Sequence, residues 1–168
     1  MKFLFCILII NSICLSQTAN SKIGHDSINT KLLNELVINQ INKERLNYGI
    51  SKLEKSNTLY IKTKLHNDWL IKTGRFEHSK STLGENIERI SCLDTITYHT
   101  LSKIIVLSWM NSHGHKYNIL NSVFKSISIS CGVLTKDQTL KKYLYPNEVI
   151  KKTLYTLIIT SSFGIDLN

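Results

Sequence analysis

Between Leu32 and Leu46 the apolar residues Leu32, Leu33, Leu36, Val37, Ile41 and Leu46 recur at three- and four-residue intervals, and Gly49 follows. That spacing marks one face of an α-helix, which Asn29 or Thr30 can open by accepting a bond from a free backbone N–H of the first turn. Asn57 is a similar cap for a second helix, with Leu59, Leu65, Trp69 and Leu70 on one face and Gly74 as its stop. A third helix is predicted from Leu101 to Met110; Ile104, Ile105, Leu107 and Trp109 make most of its surface apolar, so it should be deeply buried. Asn86 to Ile90 is read as a short helical turn. The period then changes: Ile127, Ile129, Cys131 and Val133 alternate with Ser126, Ser128, Ser130 and Gly132, as in a half-buried strand. Thr153 to Phe163, rich in β-branched and aromatic residues, predicts a second strand, and Pro146 with Asn147 a turn between the two. Helices first and strands last predict an α+β domain with a small antiparallel sheet. With no repeat or low-complexity linker, a single domain is expected over residues 29–168.

The first residues follow a different logic. MKFLFCILIINSICLS carries one early cation, Lys2, and then an apolar run too short for a membrane-spanning helix, which needs roughly 20 apolar residues. Residues 1–18 therefore read as a secretory signal, with cleavage near residues 16–19 at Ser16 or Ala19. Nothing later is long and apolar enough to cross a bilayer, so a secreted, extracytoplasmic domain is expected. Its 168 residues suit one domain, and 42% apolar against 20% charged residues exclude a disordered or fibrous chain. The net charge of +9, or +8 once Lys2 is removed, suits an anionic surface. Because the basic residues are scattered and the composition is skewed to Lys, Asn and Ile with one alanine, nucleic acid is not the expected partner.

Cys92 and Cys131 are left as an even pair in an oxidising compartment. A bridge would close a loop of about 40 residues and add roughly 4 kcal/mol by loop-closure entropy. The other possibility is two buried thiols acting as small hydrophobes.

Three stretches gather groups able to bind a metal or move protons: Phe76-Glu77-His78-Ser79, Gly84-Glu85-Asn86 and Ser112-His113-Gly114-His115. Two neutral imidazoles and one carboxylate with a fourth position open suit zinc, so His78, Glu85 and His115 form a candidate metal set if the fold unites them. The chain lacks the HExxH helix, paired CxxC, nucleophile elbow, phosphate-binding loop and dinucleotide glycine fingerprint.

Taken in order with Trp109-Met110-Asn111, the run Lys116 to Leu120, the strand from Ile127 to Val133 and the terminal Tyr155 to Phe163, these stretches resemble the CAP superfamily of cysteine-rich secretory, antigen 5 and pathogenesis-related proteins. The likeness is nearest to its short bacterial SCP-like branch and covers about Lys31 to Gly164. It implies an α-β-α sandwich, with an antiparallel sheet of three or four strands between helices and a cleft where the motifs converge. His78 and His115 are similar to the two cleft histidines and Glu85 to the acid of the family's GEN motif. The second cleft acid, three residues after the tryptophan, is here Ser112, so one carboxylate is missing and acid–base work by a carboxylate pair is disfavoured. His113 stands beside it, either as an accidental extra donor or as a substitute ligand.

These readings make the protein a binding domain whose cleft, lined by His78, Glu85, Ser112, His113 and His115, takes a divalent metal or a small polar or lipidic ligand. Alternatives are a zinc-assisted hydrolase and a basic adhesin for anionic envelope polymers. Trp109 is expected in the core or cleft wall, and His66 at the surface or its boundary without an obvious acidic mate.

Overall fold

The Asn29 side chain accepts a bond from Leu32 N at 3.0 Å, and the helix it opens, α1, runs Thr30–Asn47. In this computed structural model, which describes residues 20–23, 27–80, 84–145 and 148–165, helix α2 spans Asn57–Thr73, α3 Tyr98–Met110 and α4 His113–Leu120. The cap of α2 is Ser56, whose side chain accepts from Leu59 N, rather than Asn57, the first helical residue. Gly74 ends α2 in the left-handed region at φ 69°, where a side chain would be strained. The expected signal segment and the Pro146-Asn147 turn lie outside the described residues.

The strands are β1 (Glu54–Lys55), β2 (Glu85–Leu93), β3 (Ser126–Tyr145) and β4 (Glu148–Gly164), in sheet order β1-β3-β4-β2. Pairings β2–β4 and β3–β4 are antiparallel; β1 adds a two-residue parallel pair at one edge, making the sheet mixed. Two expectations are corrected here. Asn86 to Ile90 is the start of β2, not a helical turn, because its backbone pairs with β4 from Glu85↔Ser162 onward. The two C-terminal strands are also much longer than their hydrophobic patterns, since backbone pairing continues beyond the apolar positions.

Alternation along the strands divides the core. Cys92, Ile127, Ile129, Cys131, Tyr155, Leu157, Ile159 and Phe163 join the buried residues of α1, α3 and α4 in the larger cluster, which Ile23 enters from ahead of residue 29. On the other face Leu70 of α2 packs on Ile87 and Ile158. The result is the α-β-α sandwich. The serine face of β3 is not solvated, as the alternation suggested: Ser128 and Ser130 are buried beneath α2. Thr63 hydrogen-bonds Ser128, and Asn67 Nδ2 donates to Ser130 O (2.8 Å) and Ile158 O (3.1 Å). Leu46, Leu65, Ile104 and Leu107 face solvent despite fitting their helical patterns, so α3 is buried along one side only.

Cys92 and Cys131 are free and buried. They flank β4 from opposite sides, opposite Tyr155 and Ile159. Two interstrand steps, together with the four-residue offset between Tyr155 and Ile159 along β4, keep their Cα atoms beyond the roughly 7 Å that a disulfide spans. Among the described residues no helix is long and apolar enough to cross a membrane.

Candidate functional site

The site wraps the start of edge strand β2. Successive strand residues point to opposite faces, so Glu85 turns toward α2 while Asn86 turns toward α4. Glu85 Oε1 accepts from Ser79 N at 2.9 Å and lies 2.9 Å from His78 Nδ1, although 61% of the His78 side chain is exposed and only 7% of the Glu85 side chain. A carboxylate oxygen can only accept here, so the His78 Nδ1–H donates, and the neutral ring keeps its lone pair on Nε2. The carboxylate thus orients the ring and holds the backbone at Ser79.

Asn86 is fully buried and donates from Nδ2 to His115 O at 3.2 Å. Asn118 Nδ2 donates in turn to Asn86 Oδ1 (2.9 Å) and Glu85 O (3.1 Å), so two amides lock α4 onto the strand. Gly84 is required by crowding: a Cβ there would stand 2.8 Å from the Phe124 ring and 3.0 Å from Asn118 Oδ1. The other end of α4 is held by Arg45, a buried guanidinium that donates to Ile119 O (2.7 Å), Asn121 O (2.9 Å), Phe124 O (3.3 Å) and Ser51 O (2.7 Å). These carbonyls include the C-terminal end of α4, where a cation is favoured.

Held this way, the His115 ring lies 6.5 Å from that of His78, tilted by 59°, and presents an edge-on contact to buried Trp109 at 6.5 Å. Burial, and secondarily the neighbouring His78, hold His115 below the ordinary imidazole range. The expected trio is therefore united around one strand end, but with unequal roles, because Glu85 is engaged by His78 and Ser79. Among the described residues no three of His, Cys, Asp and Glu are grouped to hold a metal ion. Two imidazoles on one tetrahedral zinc bring their centroids to roughly 5 Å, so these rings have the donor chemistry but stand about an ångström too far apart.

Ser112 occupies the cap position of α4 without a side-chain capping bond, and His113 is exposed at its start. Neither hydrogen-bonds His78, Glu85 or His115 among the described residues. His66 lies at the boundary as expected but has the acidic neighbour it was expected to lack: its Nε2 is 3.8 Å from Glu85 Oε2 and 3.1 Å from Glu77 O, and its ring stacks on Trp69 at 5.8 Å. Nineteen residues separate His66 from Glu85, and the visible signal was only the His66/Trp69 spacing on α2. The other β2 carboxylate, Glu88, turns to α3 and accepts from Ser108 Oγ at 2.7 Å; burial raises its proton affinity, against that hydrogen bond.

Residues 38–146, well over half of the chain, match the model of the cysteine-rich secretory protein family, CAP. No curated protein matches the chain. Among solved structures it is similar to an extracellular SCP-domain protein of Bacillus anthracis (15% identity, TM-score 0.48, 73% of this chain and 39% of that one). It is also similar to an outer surface protein of Borrelia burgdorferi (16%, TM-score 0.49, 82% and 96%). A third likeness is to a cysteine-rich secretory protein of Staphylococcus aureus (14%, TM-score 0.37, 79% and 39%). The chain thus spans about two-fifths of the first and third of these.

Proposed function

The chain belongs to the cysteine-rich secretory protein (CAP) family, and on that premise we infer that it works outside the cytoplasm as a binding domain whose ligand sits between His78 and His115. The observation that carries this is the Glu85–His78 contact at 2.9 Å, because it orients an exposed histidine whose ring centre lies 6.5 Å from that of a second imidazole. A hydrogen-bond chain of this kind, carboxylate to histidine to ligand, is how proteins orient metal-binding imidazoles. His78 Nε2 and His115 would hold a divalent ion, with Glu85 orienting rather than ligating. A bound ion would supply a positive charge to an anionic or carbonyl oxygen of a small polar ligand. Holding one ion between them would require the two rings to close by about an ångström from their 6.5 Å separation. The N-terminal segment, with its short apolar run after Lys2, supports export.

The test is calorimetric titration of the protein with zinc, repeated on His78→Ala and His115→Ala. Saturable binding near one equivalent in wild type, lost in both variants, is the expected result. Binding unchanged in both variants would place the ion elsewhere and remove this reading, and so would no heat at all in wild type.

A further inference from the structure

A second surface, made by the end of α1, the loop after it and α4, combines lysines with exposed apolar side chains. Leu46 (53% exposed), Tyr48 (52%), Tyr117 (65%) and Val123 (60%) are its apolar members. Leu46 lines one recess with Lys43 and Lys52, Lys116 and Tyr117 line another with Ser122, the chain neighbour of Val123, and the Lys116 ammonium, 5.4 Å from the centre of the Tyr48 ring, links the two sides. Arg45 ties Ser51, Asn121 and Phe124 to one point beneath them, so the surface is presented by a fixed backbone. Gly49, at φ 70°, makes the turn that projects Tyr48.

Its charge is one-sided. From Asn111 to Lys136 the sequence contains no Asp or Glu, and over residues 43–53 Glu44 is the single acid, accepting a bond from Gln40. Lys43, Lys52, Lys116 and Lys125 therefore stand with little opposing charge. Lysines alone would suit any polyanion. Leucine and valine among them, with two tyrosines whose rings are apolar and whose hydroxyls are polar, suit the boundary between headgroups and acyl chains.

We propose that this surface docks the protein on an anionic phospholipid bilayer, with Leu46, Tyr48, Tyr117 and Val123 entering the headgroup layer and the four lysines facing phosphates. It does not rest on the reading of the His78 cleft. Each lysine near such a membrane is expected to raise partitioning by about fivefold, an effect that salt screens.

Flotation of the full chain with vesicles of phosphatidylcholine, or of equal parts phosphatidylcholine and phosphatidylglycerol, tests it. The protein should float with the anionic vesicles only. Lys43→Gln/Lys116→Gln should weaken this by about 25-fold, and Tyr48→Ser/Tyr117→Ser should weaken it while leaving the circular dichroism spectrum unchanged. Lys62→Gln on exposed α2, and His78→Ala, should float like wild type. Equal loss in Lys62→Gln, full binding by the tyrosine variant, or capture by soluble polyphosphate without vesicle binding would each overturn the proposal, the last in favour of a polymeric partner.

Discussion

The side chain of Glu85 is almost wholly buried, yet its Oε1 is 2.9 Å from Nδ1 of His78, a residue largely open to solvent. One carboxylate therefore joins the interior of the molecule to an exposed side chain. It receives the Ser79 amide as well, so the backbone and the imidazole are positioned together.

From this contact, Glu85→Gln is expected to weaken zinc binding by about 10–100-fold, the usual consequence of losing a histidine's orienting carboxylate. A glutamine can present its carbonyl to both donors, so the fold should survive; urea denaturation alongside the titration checks this. An unchanged zinc affinity in the folded variant would mean that Glu85 serves only the backbone.

Gly84→Ala should destabilise the protein by about 1–3 kcal/mol, as overpacking does. The added methyl meets the Phe124 ring, which cannot swing aside freely because it stacks on Phe163 at 5.5 Å. Its other neighbour is Asn118, which holds the Glu85 carbonyl. A shifted urea midpoint together with weaker zinc binding is expected; a midpoint equal to wild type would show that the loop yields without strain.

Stability should fall as the solution is acidified below about pH 6.5, and His115 should account for part of the fall. The folded chain disfavours its imidazolium, through burial first and His78 second, so the unfolded state takes up a proton at higher pH than the folded one. The stabilisation is thus present above the unfolded value and lost as pH drops toward the folded one. Melting temperatures of wild type and His115→Gln from neutral to mildly acid pH should show a flatter profile in the variant. Parallel profiles would contradict the assignment.

Both thiols should resist modification in the native state. Burial pushes the Cys92 thiol up to about 11 and drives that of Cys131 up as well, so neither supplies thiolate near neutral pH. Reaction with a thiol reagent should be slow for the folded protein and yield two equivalents on unfolding, for the chain without its first 18 residues. Reducing agent should leave the melting temperature unchanged.

Local patterns carried much of this molecule. The helix faces, the caps at Asn29 and the stops at Gly49 and Gly74 depend on neighbours within a few residues, and so does the period-two run from Ser126 to Val133. Failures arise where distant partners intervene. Asn86 to Ile90 is a strand because β4, some seventy residues later, pairs with it. Ser128 and Ser130 are buried because α2 brings Thr63 and Asn67 to bond them.

The same division runs through the site. By itself the sequence determined the family and the α+β class, and it named His78, Glu85 and His115 as candidates, because short motifs in a fixed order are legible as text. Only the tertiary structure decided what each does: that Glu85 is committed to His78, that His66 approaches the same carboxylate, and that Arg45 and Asn118 hold α4 in place. Those relations are distances between residues far apart in the chain, set by side-chain packing across the sheet, and no local spacing encodes them.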